Sequence, residues 1–301
     1  MTTYASVLER IAVADESIVV MTAENRAAIR NLPSVLGPRF IDVGIAEQTM
    51  VAAAAGLALR GRVPICHSLA VFLTLRAFEF IRTDVGIAGL PVKLVGGVPG
   101  VLSDANGPTH QAIEDISLMR GIPKMQVFCP ADEDELAEMM PAVIASSAPA
   151  YVRYNASPAA VVHRTPFEIG RAESFGDGRD VALLTYGFLL REAEKARAVL
   201  SSEGVGVRLL NLRTLKPIDE EAIVRAASET RLLVTIEDHF QTGGLYSIVA
   251  ETLLAHGITR PTLSIAFAER WFKPGRLDDV LEHEGLTGAQ IVAKVRAHLA
   301  R

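Results

Sequence analysis

The stretch RFIDVGIAEQTMVAAAAGL, residues 39–57, decides how the chain is read. Apolar residues 40–43 make a short strand ending at Gly44, and one carboxylate, Glu47, opens an almost wholly apolar helix over residues 47–59. A strand that runs into a helix through a glycine turn is the repeating unit of a parallel α/β sheet. A carboxylate at that junction is poorly solvated and readily shares a proton, which suits an acid facing a ring nitrogen. The helix macrodipole also favours any glutamate in a first turn, so the placement alone leaves both readings open.

Working outward, strand-like and helix-like segments alternate. Residues 17–22, 63–68, 91–95, 125–129 and 151–154 read as strands, and residues 69–87, 111–119 and 132–145 as helices. Periodicity then lapses, and Pro, Gly and charge accumulate in SPAAVVHRTPFEIGRAESFGDG, residues 157–178, the signature of a linker. A second alternating set follows: strands over 180–185, 205–211 and 231–236, helices over 190–202, 219–227 and 243–256, and a terminal helix over 288–299. The expectation is two α/β domains, residues 1–160 and 179–301, with mainly parallel sheets flanked by helices and joined by a linker over 161–178.

A chain of 301 residues has room for about two such domains, and with 50% hydrophobic and only 22% charged residues it can bury large cores. The net charge is −5 and no basic cluster tracks a helix or strand, which argues against nucleic acid as a partner. Cys66 and Cys129 make no disulfide framework, and neither has a neighbour at zinc spacing; no metal ligand set is expected. Adjacent Cys66 and His67 should point to opposite faces of their strand. The first residues lack the basic start and apolar run of a signal peptide, and no apolar stretch reaches membrane-spanning length. A cytoplasmic protein that makes no membrane contact is expected.

Ligands of open parallel sheets gather outside the carboxyl ends of the strands. Three loops there are candidates: the one bearing Glu47, the junction at residues 68–72, and GGVPGVLSDANGPTH, residues 96–110. The third is longer than a simple connection needs, which is a mark of functional loops. It ends in His110, just before the helix expected from residue 111; an imidazole at a helix start can be held ready for proton transfer. A capping or core histidine is the alternative.

Several motifs in order then carry a resemblance. GIAEQ (44–48), AVFLTLRAFEFIR (70–82), NGPTHQAIEDISLMRGIP (106–123) and PADEDEL (130–136) resemble the pyrimidine-binding domain of transketolases, and IEDHFQTGGL (236–245) resembles the transketolase C-terminal domain. The corresponding part of 1-deoxyxylulose-5-phosphate synthase is also similar. The matched motifs cover no thiamine-diphosphate-binding half, so the chain resembles the C-terminal subunit of a split transketolase. The resemblance implies thiamine diphosphate as cofactor, with Mg2+ and the diphosphate held by an N-terminal partner subunit, an α2β2 assembly and small sugar substrates.

It also implies residue roles. Glu47 would hydrogen-bond the aminopyrimidine ring and favour the imino tautomer that removes the thiazolium C2 proton. Phe72 would stack on the pyrimidine, with Leu69 and Leu75 in neighbouring pocket positions where transketolases often carry aromatics. His110 would face the substrate and assist proton transfer, Arg153 would bind a substrate phosphate, and Asn106 would lie against the donor. Core packing for Phe72 and structural ion pairing for Arg153 are the alternatives; His239 reads as structural. Asn106 stands where transketolases usually carry Asp, and Val98 near where they usually carry His. Donor choice should therefore differ, with Asp104 a candidate substitute carboxylate. The implied reaction is transfer of a two-carbon ketol unit from a ketose to an aldose. The rivals are acyloin formation from a 2-oxo acid and a non-catalytic subunit that kept the fold.

Overall fold

The first strand, IVVMT, is buried along its whole length, the mark of a strand covered on both faces. A computed structural model describes residues 3–300. Its first half runs α1 (Tyr4–Ala14), β1 (Ile18–Thr22), α2 (Leu32–Leu36), β2 (Phe40–Asp42), α3 (Glu47–Leu59), β3 (Val63–Leu69), α4 (Phe78–Phe80), β4 (Lys93–Gly97), α5 (Asp115–Arg120), β5 (Gln126–Phe128), α6 (Glu133–Ala145) and β6 (Ala150–Tyr154). The second half runs β7 (Glu173–Phe175), β8 (Val181–Thr185), α7 (Leu190–Ser202), β9 (Val207–Asn211), β10 (Thr214–Lys216), α8 (Glu220–Glu229), β11 (Leu232–Phe240), α9 (Leu245–Ala255), β12 (Thr262–Phe267), α10 (Leu277–Glu284) and α11 (Gly288–Leu299).

Two mainly parallel sheets result. The first has the order β10-β5-β6-β4-β3-β1-β2 and the second β12-β11-β8-β9-β7. Only β10 against β5 and β7 against β9 pair antiparallel. Helices flank both sheets. An apolar cluster on one face of the first sheet joins Met50, Val51 and Ala54 of α3 to Leu73, Ile81 and Leu94. Val181, Leu183, Ala193, Ile236 and Ile291 anchor a cluster in the second domain. Cys66 joins the first-domain cluster, while His67 turns to the other face and shares a 2.6 Å hydrogen bond with the Tyr4 hydroxyl, as strand alternation requires. No helix among the described residues is long and apolar enough to cross a membrane.

Three features depart from the sequence pattern. Residues 69–87 do not form one helix: π-helical turns at Phe72–Arg76 and Ile81–Gly86 bracket α4. Such widened turns preserve an apolar stripe, so periodicity does not betray them; they recur at functional sites. The helix expected from 111 to 119 starts only at Asp115. Residues 161–178, expected as a linker, hold β7, which pairs with β9. His163 in that segment is clasped between Glu173 (2.6 Å) and Asp132 (2.8 Å). The second half also lends β10 to the first sheet, so the two domains share a sheet edge.

Candidate active site

Glu47 is the first residue of α3 and is 1% exposed. No side chain caps that helix, so the carboxylate stands at a start with free amides. Its two oxygens have separate partners: Oε1 accepts from the Ser68 hydroxyl at 3.0 Å, and Oε2 accepts from Arg76 at 2.8 Å. Ser68 comes from β3, the strand parallel to β1, and Arg76 from the π-turn. The Arg76 guanidinium lies over the Phe72 ring at 4.3 Å, a cation–π distance. Phe72 in turn meets the His110 imidazole edge to face, with centroids 5.2 Å apart.

The structure thus brings Glu47, Phe72 and His110 to one wall, with Leu69 packed beside Phe72. That wall is open. Phe72 and His110 are half-buried, Leu75 is 39% exposed, and Ile45 just before Glu47 is 69% exposed. Leu75 does not line an enclosed pocket in this chain. Ser68 and Arg76 were missed as partners of the acid, although both lie within segments singled out above. A lone Arg on a helix reads as surface, and only the turn that returns it to Glu47 reveals otherwise.

His110 does not sit at a helix start. With α5 beginning at Asp115, it lies in a turn closed by its own N–H on the Gly107 carbonyl at 3.0 Å. Its Nδ1 is 2.9 Å from the Thr109 hydroxyl. Asn106 is exposed on the same loop and donates to Ser103 Oγ at 3.1 Å. Asp104 is engaged by the second half: its Oδ1 accepts the Leu277 N–H of α10 at 2.7 Å.

Arg153 is a correction. It is 3% exposed, and every guanidinium nitrogen is engaged. Its Nε and Nη2 reach Asp115 at 2.9 and 3.2 Å, Nη1 reaches Asp238 of the second domain at 2.6 Å, and Nη2 also reaches the Ala112 carbonyl. Burial works against its charge, but the two carboxylates hold its basicity well above the usual range. With its fork filled by protein carboxylates, Arg153 ties the two domains together, the ion-pairing alternative given above. His239, expected as structural, is buried beside this tie, and its Nε2 accepts the Ser117 N–H at 3.3 Å.

A planar cation, the Arg76 guanidinium, thus lies over Phe72 while bonded to Glu47. Among the described residues, the cluster of metal-ligating type, Glu135, His163 and Glu173, lies at the domain boundary, with the imidazole held on both nitrogens by carboxylates.

Comparison with known proteins bears on the family and the fold. The model of the transketolase pyrimidine-binding domain matches residues 1–159, and that of the transketolase C-terminal domain matches residues 170–291. The chain is 36% identical over 294 residues to a 6-deoxy-6-sulfo-D-fructose transketolase subunit of Clostridium sp. (strain MSTE9), covering 96% of this chain and 91% of that one. It is 31% identical to a transketolase C-terminal section of Methanocaldococcus jannaschii, covering 95% and 92%. Against 1-deoxy-D-xylulose-5-phosphate synthase of Acidobacterium capsulatum it is 35% identical, covering 99% of this chain but 48% of the enzyme. It therefore spans nearly all of the subunit-sized relatives and about half of the synthase. A split-gene transketolase, solved as an inactive beta4 tetramer, superposes with a TM-score of 0.87 at 33% identity over 99% of this chain and 96% of that one.

Proposed function

From a chain that belongs to the transketolase family, spanning its pyrimidine-binding and C-terminal domains, we propose a C-terminal subunit of a thiamine-diphosphate-dependent enzyme that transfers a two-carbon ketol unit from a ketose to an aldose. A partner chain carrying the diphosphate and Mg2+ site completes it, in an α2β2 assembly. The observation that carries this reading is the buried Glu47 carboxylate, held by Ser68 and by the Arg76 guanidinium that lies over Phe72.

Thiamine diphosphate supplies, when bound, the electron sink that carbon–carbon cleavage next to a carbonyl requires. The protein's own tasks follow from the wall. Each carboxylate oxygen has a second lone pair, so Glu47 can take a ring N–H while keeping Ser68 and Arg76. Those two partners fix its orientation, so the proton it holds stands at one place. Phe72 and Leu69 supply an apolar face that excludes water from one side of the ring. His110, edge-on to Phe72, is placed to exchange a proton with a substrate oxygen, and Asn106 on the same loop supplies a neutral hydrogen-bonding group. Because Arg153 is committed to Asp115 and Asp238, an anionic group on the sugar must be held elsewhere, by other residues or by the partner.

The exposed Leu75 and Ile45 flanking the acid support a site completed by another chain, as does coverage of subunit-length relatives from end to end. The sulfosugar named for the Clostridium protein makes an anionic ketose the first donor to test. Likeness to the synthase keeps one second reading, acyloin formation from a 2-oxo acid. Reconstitution with a diphosphate-binding partner decides: aldehyde release from a ketose supports transketolation, and carbon dioxide release from pyruvate supports the rival. A reconstituted pair that binds no thiamine diphosphate overturns both and leaves a non-catalytic subunit.

A further inference from the structure

The loop between β4 and α5 carries Asn106 and His110, yet much of what fixes its shape comes from the other domain. Val101 and Ile113, near its two ends, are buried in the second-domain cluster with Phe188, Phe267 and Leu281. The Ile113 carbonyl accepts the Phe240 N–H at 3.0 Å. At the tip, Ala105 N–H donates to the Gly275 carbonyl at 3.0 Å, and Ala105 is held at φ +60, a left-handed conformation rare for alanine. Gly107 follows at φ +69, so close to Pro274 that a Cβ there would lie 2.6 Å from the proline ring. Between these two anchored residues stands Asn106.

One side chain closes the dock. The N-cap of α10, Arg276, provides no capping bond, and the first helical amide, Leu277 N–H, is satisfied at 2.7 Å by Asp104 Oδ1 from across the domain boundary. A carboxylate on a helix's free amide is a charge-assisted bond that also opposes the positive end of the helix. It ties the start of the Asp104–His110 turn to a rigid element, while the residues that face the substrate stay exposed.

We propose that Asp104 is a positioning residue: through its bond to α10 it fixes the turn bearing Asn106 and His110, so the C-terminal domain sets how the donor sugar is held. This rests on the transketolase reading of the same site. In the reconstituted complex, Asp104→Ala raises the donor KM about tenfold, the weight of one charged hydrogen bond. Hydrogen exchange of peptides covering residues 99–113 rises with it. Asp104→Asn keeps an acceptor oxygen and restores both to within about twofold of wild type. Cofactor C2-proton exchange without donor stays at the wild-type rate in both variants, since Asp104 makes no contact with the Glu47 wall. Unchanged loop exchange or unchanged donor KM in Asp104→Ala overturns the proposal. So does an Asn variant as impaired as the Ala variant, which would mean that the charge serves the substrate directly. A wild-type complex without C2-proton exchange instead sinks the transketolase reading, so the two failures are read in different signals.

Discussion

Two charged clusters lie inside the molecule, and they differ in what remains once their own partners are satisfied. At the domain boundary, Arg153 is enclosed by Asp115, Asp238 and the Tyr186 ring, and Tyr151 donates to Asp115 at 2.6 Å. Gly100 passes so near Asp238 that a Cβ would overlap its carboxylate. Nearby, Glu135, Asn211, Arg213 and His163 form a second closed set. At the α3 wall, Glu47 has two side-chain partners, and although Ser68 is buried, Arg76, Phe72 and His110 are half-buried or exposed. A closed cluster spends its charge on holding domains together; an open one keeps capacity for a ligand. Burial alone does not separate them, since Glu47 and Arg153 are equally hidden.

The largest expected effect breaks the open side. Glu47→Gln leaves the shape intact but removes the acid, and in a reconstituted pair it should lower turnover by ~1000-fold or more, about 4 kcal/mol in the barrier. Its melting temperature should stay near wild type; wild-type-like turnover removes Glu47 from the mechanism. Next comes the closed side. Arg153→Met strands two buried carboxylates and should cost roughly 3–5 kcal/mol of stability in urea unfolding, a large share of a typical margin. In the folded fraction the donor KM should hold, whereas a raised KM with normal stability would return Arg153 to the substrate.

A pH titration of unfolding probes the same boundary. Burial opposes the His163 charge, but the hydrogen bonds to Asp132 and Glu173 outweigh it and raise the imidazole to about 10. A folded value above the unfolded 6.5 gives stability that is complete below about pH 6.5 and lost as pH climbs toward 10. Burial pushes Glu135 up to about 7 and Glu237 up to about 8, which runs in the same direction. Unfolding free energy should therefore fall between pH 6.5 and 10. After discounting for solvent, His163→Gln should cost about 1–2 kcal/mol at pH 6.5 and little at pH 10. A pH-independent cost would mean that the imidazolium is not the latch. The smallest effect belongs to Arg76→Met, which loosens Glu47 without removing it. C2-proton exchange should slow about three- to fivefold, on the order of 1 kcal/mol, with stability unchanged; a loss as large as that of Glu47→Gln would make Arg76 part of the chemistry.

The contrast also explains what the sequence disclosed. Helices over residues 47–59, 190–202 and 288–299 were legible to the residue from their composition and, for the last, from the Thr287–Gln290 capping box, and buried strands such as β8 announce themselves as apolar runs. The short antiparallel edges β7 and β10, at three residues each, carry no such signal. Glu47 could be singled out because its setting is local, a carboxylate at the mouth of an apolar helix. Arg153 could not be assigned, because Asp238, which commits it, arrives 85 positions later on a strand of the other domain. Arg76 lay in a matched motif, yet its tie to Glu47 depends on a π-turn that leaves no trace in the hydrophobic pattern. Asp104 was noticed as a spare carboxylate, and its true neighbour, Leu277, lies 173 positions away.

The fourth strand of the second half, β10, crosses over to complete the first sheet beside β5. Cutting the protein between its two halves would therefore not yield two tidy modules. The amino-terminal piece would be left with β5 as a raw border of unmet peptide groups, inviting it to zip onto other chains. Where a gene of this type is divided, a cut through this junction would leave such a border.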